Sequence, residues 1–110
     1  MSYKIQLMPK AILQAKDISN YISNVLMSPS AARNWSNHLK ESIERLNEMP
    51  NRYPIIDDEP WKSRKIHRMT VGSYCVYYLV DNDVETVYIL SIVYAKREQI
   101  NVFMEIGTAK

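Results

Sequence analysis

The sequence predicts an α+β domain, and three observations carry that prediction. Tyr3, Ile5 and Leu7 alternate with Lys4, Gln6 and Met8, the period-2 pattern of a short half-buried strand. Two amphipathic helical stretches follow with only a short link between them. Two segments dense in Tyr, Val, Ile and Leu, Tyr74 to Val80 and Val87 to Tyr94, then flank Asp81-Asn82-Asp83. Aromatic and β-branched runs around such a turn signal a β-hairpin. The order is β-α-α-β-β-β-(α), in one domain spanning residues 1–110.

Each element has a local reason. Pro9 ends the first strand and suits the first turn of a helix. Ile12, Ala15, Ile18, Ile22 and Val25 recur at three- and four-residue spacing, so residues 9–26 read as an amphipathic helix. Ser28-Pro29 starts a second helix, with a hydroxyl cap and a proline at the first helical position. Its apolar face is Ala31, Trp35, Leu39, Ile43 and Leu46, and Pro50 ends it; the short link makes the pair an αα-hairpin. Pro50, Pro54 and Pro60 exclude a regular element over residues 50–61, which read as a surface loop. Strands are expected at about 64–70, 73–81 and 85–95. Ile100, Phe103 and Ile106 have helical spacing, which predicts a short last helix.

Composition narrows the function. A chain of 110 residues has room for one core, and its apolar and charged fractions, 46% and 24%, are those of a soluble globular protein. The net charge of +2 is too small to argue for a polyanion partner, but the charge is concentrated. Residues 57–59 are Asp-Asp-Glu, whereas Lys62, Arg64, Lys65, His67 and Arg68 form a run with no acidic residue. The single cysteine, Cys75, rules out an internal disulfide and fits a reducing compartment. No apolar run approaches membrane-spanning length and the N-terminus has no signal-like segment, so a cytoplasmic location is expected. Only two glycines, Gly72 and Gly107, leave no phosphate-cradling loop, and two isolated histidines with one cysteine make no metal site. No cofactor is expected.

Few residues could carry chemistry. His67, inside the basic run, is a candidate general acid or base near neutral pH; the plainer reading is a partly exposed surface histidine. His38, beside the apolar face of the second helix, reads as structural. Cys75 sits inside an apolar strand and reads as a small core residue. Tyr74, Tyr77, Tyr78, Tyr88 and Tyr94 could stack bases, but they stand where strand packing wants large rings. Arg64, Arg68, Lys96 and Arg97 flank this aromatic sheet, and cations so placed suit phosphate contact and the developing charge of a scissile phosphate.

At this point the chain resembles the RelE/ParE superfamily of small bacterial toxins from type II toxin–antitoxin systems. The residues that carry the likeness are the strand YKIQL with the Ile18-to-Ile22 element, and the segment AARNWSNHLKESIERLNEMPNRYP, with Leu46, Pro50 and Pro54. They continue with Arg68, then SYCVYYLVD and VYILSIVYAKRE. The resemblance implies a helical hairpin packed across a mainly antiparallel sheet with a concave basic surface. It also implies a cognate antitoxin that wraps the toxin, with operator DNA contacted only through that antitoxin.

Two targets follow from the resemblance. The RelE-like branch cleaves mRNA in the ribosomal A site. If this chain does so, Arg68 and Arg97 are expected to contact phosphate and stabilise charge, with His67 as an acid–base candidate and Arg64, Lys65 and Lys96 as further RNA or target contacts. The sequence departs from that branch at two positions: Cys75 stands where arginine is typical, and Phe103 where a tyrosine is expected. The ParE-like branch poisons DNA gyrase and needs no nuclease site. A third reading is a degenerate, non-toxic binding module. The expected function is therefore growth inhibition by a plasmid-stabilisation-type toxin, as an endoribonuclease or as a non-enzymatic gyrase inhibitor.

Overall fold

The computed structural model describes residues 2–95, and the element order over that span is the expected one. Strand β1 is Lys4–Leu7, helix α1 Pro9–Asn20 and helix α2 Pro29–Glu44; β2 is Ile66–Val71, β3 Tyr74–Asp81 and β4 Thr86–Tyr94. The last expected helix lies outside the described residues.

The strands form one four-stranded sheet in the order β1-β4-β3-β2. β2, β3 and β4 pair antiparallel in sequence, while β1 returns to lie parallel to β4. The β3–β4 turn closes as its residues demand: the Asp81 carboxylate accepts from the N–H groups of Asp83 (2.9 Å) and Val84 (3.3 Å). Between β2 and β3 the chain reverses at Gly72, whose φ of +59° suits a residue without a Cβ.

Register shifts once. Tyr77 pairs with Ser91 and Tyr78 with Ile89, so Leu90 is an extra residue, a bulge. Gln14 of α1 fills this break, its Oε1 accepting from Ile92 N–H (2.8 Å) and the Ser91 hydroxyl (3.1 Å). The bulge lets Ile89 and Ile92 both point toward the helices.

The helical hairpin covers one face of the sheet. Ala11, Leu39, Ile43 and Leu46 pack there on Met69, Val71, Val76, Tyr78, Val87, Ile89 and Ile92. Ser28 caps α2, its hydroxyl accepting from Ala31 N–H at 3.4 Å. Ile22, Leu39, Ile43 and Leu46 are buried as the spacing predicts, and Ala15, Ile18 and Trp35 pack in part against the core. The stripes depart from the prediction at single positions: Ala11 and Ala32 are buried, whereas Ile12 (46%), Val25 (63%) and Ala31 are exposed. For Val25 the reason is a π-helical turn at Tyr21–Val25, which resets the phase of the last turn.

The proline-rich segment departs from a plain surface loop. Ile55 bridges His67, Ile56 N–H donates to the Ile66 carbonyl (2.8 Å) and Arg68 N–H to the Pro54 carbonyl (3.1 Å). Its first half therefore protects the free edge of β2. No helix among the described residues is long and apolar enough to cross a membrane.

Candidate target-binding face

Strand alternation decides which side each basic residue takes. Successive side chains on β2 point to opposite faces, so Ile66, Arg68 and Thr70 share one side while His67, Met69 and Val71 share the other. Met69 and Val71 lie in the helix-side core, whereas Ile66 joins a second cluster with Ile56, Cys75 and Tyr77 on the far side. Arg68 and His67, adjacent in sequence, are thus separated by the thickness of the sheet.

Arg68 stands directly across from Tyr77 in the ladder, and its positive charge acts on the phenol. Tyr77 is only 1% exposed. Burial pushes its phenol above the ordinary range, the Cys75 thiol adds to that, and the Arg68 guanidinium pulls the other way. The result is a half-buried cation over an apolar floor, with a hydroxyl that solvent does not reach.

His67 is not the surface residue its surroundings in sequence suggest. It is buried, with Nδ1 2.7 Å from the Tyr53 carbonyl, and since a carbonyl only accepts, Nδ1 carries the proton in that bond. The imidazole lies flat on Tyr78, centroids 4.8 Å apart at 9°. The Tyr78 hydroxyl donates in turn to the Pro50 carbonyl at 2.8 Å, and burial pushes its phenol up to about 12, partly offset by the Tyr53 backbone. His67 and Tyr78 therefore clamp the Pro50–Tyr53 segment onto the sheet. This clamp was not legible in the sequence, because its acceptors are backbone carbonyls far along the chain.

The acidic run serves its own turn. Asp57 pairs with Lys62 at 3.3 Å, both side chains well exposed, and Glu59 accepts from the Ser63 N–H (3.0 Å) and hydroxyl. The bonds from Ser63 hold the Glu59 carboxyl below the usual carboxylate range. Arg64 is half-buried and Lys65 exposed within this turn. Lys96, Arg97 and Phe103 lie outside the described residues. Among the described residues no group of three His, Cys, Asp or Glu side chains could hold a metal ion.

A second concave feature lies between α1 and the end of β4. This groove, about 580 Å³, is lined by Gln14, Asp17, Ile18, Tyr21, Tyr74 and Tyr94 among others. Its mouth is apolar, with Tyr21 and Leu26 both more than half exposed, and Trp35 meets Tyr74 edge-on at 5.1 Å beside it.

Residues 5–99 match the family described as the ParE toxin of type II toxin–antitoxin systems, parDE. No curated protein matches the chain. Among solved structures, a chain of the chromosomal ParDE system from P. aeruginosa is 17% identical with a TM-score of 0.70, over 86% of this chain and 98% of that one. A doubly substituted E. coli RelE toxin in the free state is 14% identical with a TM-score of 0.62, over 93% of each chain. A chain of the archaeal RelE–RelB complex from Pyrococcus horikoshii is 18% identical with a TM-score of 0.61, over 89% of this chain and 100% of that one. At such identities the likeness fixes the fold: a helical hairpin on a four-stranded sheet. The match across residues 5–99 goes further, and by it the chain belongs to the ParE toxin family of type II toxin–antitoxin systems.

Proposed function

We propose that this toxin stops growth by binding DNA gyrase rather than by cutting RNA, and that a cognate antitoxin holds it inactive. The observation that carries the choice of target is the separation of His67 from Arg68. A nuclease built on the basic strand needs an acid or base on the same side as its phosphate-binding cation. Here the imidazole is across the sheet and bonded to Tyr53, and the phenol beside Arg68 is buried. Cys75, at a position where the nuclease branch typically has arginine, is a buried thiol on that same side. Among the described residues, that side presents a cation on an apolar floor, an arrangement suited to holding a protein surface.

In this reading Arg68 anchors an acidic group of the target, and Arg64 and Lys65 add contacts from the neighbouring turn. The antitoxin is assigned to the groove beside α1, which is lined in part by the exposed Tyr21 and Leu26, with exposed Met27 next in sequence; exposed apolar residues at a groove are of the kind that marks protein partners. A partner is also supported by the P. horikoshii relative, solved as a RelE–RelB complex.

Two assays on the purified protein test the target. Gyrase supercoiling is expected to fall as toxin is added, while mRNA 5′ ends in a purified translation system stay unchanged. New 5′ ends at A-site codons with gyrase unaffected would overturn the reading and return Arg68 and Arg97 to a nuclease site.

A further inference from the structure

The groove between α1 and the end of β4 brings unlike chemistry together. On α1 and the turn that follows it, Gln14, Asp17, Ile18 and Tyr21 stand at i, i+3, i+4 and i+7, one face of a helix, and all four line the groove. On the sheet, Tyr74 and Tyr94 are direct partners in the β3–β4 ladder, so their rings meet, centroids 5.5 Å apart and tilted by 58°. Leu26, whose N–H donates to the Tyr21 carbonyl at 3.1 Å, lines the groove as well.

The polar groups of the lining are not equivalent. The Gln14 Oε1 is committed to Ile92 N–H and the Ser91 hydroxyl. Asp17 is the only charged residue among those that line the groove. Among the described residues no cation is paired with it. Its helical neighbours three and four positions away, Leu13, Gln14, Asn20 and Tyr21, are all uncharged. Residues 18–32 carry no charge either, so the carboxylate is the one charge against phenol rings and aliphatic side chains.

That combination selects its occupant. The face of a phenol ring attracts a cation, and a carboxylate beside the rings adds to the attraction. An arginine or lysine side chain has the matching form, a charged head on an aliphatic stem that packs along apolar surface. Ile18, Leu26 and Ile92 offer that surface here. An acidic side chain would meet Asp17 with like charge. An aliphatic one would take water from the carboxylate and give it no partner in return.

We propose that the groove takes an arginine or lysine side chain of the antitoxin, its charge on Asp17 and the tyrosine rings and its stem on the aliphatic wall. The antitoxin as occupant rests on the reading above, whereas the basic side chain rests on the lining of the groove itself. The toxin then carries two docking surfaces of opposite charge. Arg68, on the far face of the sheet, is suited to an acidic group, and Asp17, on the helix side, to a basic one.

The two parts are tested separately. The free full-length toxin is titrated with N-acetyl-arginine methylamide and, in parallel, with N-acetyl-citrulline methylamide, which keeps the shape and loses the charge. Two-dimensional NMR follows the amide signals. The arginine probe is expected to move Asp17, Tyr21 and Tyr94 and to bind roughly five- to tenfold more tightly than the citrulline probe. Asp17→Asn, at an exposed helix position, should remove that preference, and high salt should shrink it. No shift in the groove, equal binding of the two probes, or a preference that survives Asp17→Asn would overturn the basic side chain as occupant. The toxin in complex with its antitoxin is then titrated with the arginine probe, which should no longer move the groove signals. A preference equally strong in the free toxin and in the complex would overturn the antitoxin as occupant and leave the cation pocket standing.

Discussion

The two faces of the sheet are covered in different ways. The helix side carries a continuous core in which Leu46, Met69, Val76, Tyr78, Val87 and Ile89 are wholly enclosed, held by elements that run the length of the sheet. The far side buries a smaller cluster of Ile56, Ile66, Cys75 and Tyr77, on which Trp61, Leu90, Val93 and Ala95 pack. Adjacent tyrosines show the contrast. Tyr78 belongs to the helix side and is fastened to Pro50; Tyr77 belongs to the far side and meets Arg68 and Cys75. The lesson is that the larger core lies under the helices, while the smaller cluster shares its face with Arg68.

Perturbations of the two faces should rank accordingly. The largest loss is expected from Leu46→Ala, because Leu46 is fully enclosed between α2 and the sheet. Its cost is about 2–5 kcal/mol, read as a lower urea midpoint. A midpoint within error of wild type would show that the helix-side core does not dominate.

Gln14→Leu should come next. It leaves Ile92 N–H and the Ser91 hydroxyl without the acceptor that fills the bulge. Stranding such donors costs about 1–3 kcal/mol, and hydrogen exchange at Ile92 should accelerate with it. Unchanged exchange there would mean that the bulge does not depend on α1.

Alkali sharpens the comparison through the tyrosine pair. Both phenols have raised folded pKa values, Tyr78 to about 12, so their contribution is fully present below the unfolded value near 10 and is lost as pH rises toward 12. The Arg68 guanidinium pulls on Tyr77 but not on Tyr78, so Tyr77 should ionise first. With eight tyrosines in the chain the test is a difference: the 295 nm absorbance removed by Tyr77→Phe should appear at lower pH than that removed by Tyr78→Phe, and coincident losses would count against two distinct environments.

The smallest effect is expected from Lys62→Ala. Its pair with Asp57 lies in solvent, where such pairs are worth about 0–1 kcal/mol. The urea midpoint should barely move, and any change should shrink further in high salt.

Much of the architecture was legible from local signals. Ser28-Pro29 started α2, Asp81 closed the hairpin, and the three late strands fell within a residue or two of their expected positions. The site was less so. The stripe predicted on α1 holds at Ile22 and, in part, at Ala15 and Ile18, but a π-helical turn leaves Val25 exposed and Ala11 is buried in place of Ile12. The acidic run 57–59 could have met the basic strand, but Asp57 and Glu59 found partners within their own turn.

The sequence by itself determined the order of elements, the caps and turns, and the alternation of β2, because these depend on residues within a few positions of one another. It placed His67 and Arg68 side by side. Only the tertiary structure decided that they face opposite ways: His67 to the helix side with Tyr53 and Tyr78, and Arg68 onto the far face with Tyr77. Alternation fixes that neighbours diverge; which face meets the helices is settled by packing between segments remote in sequence.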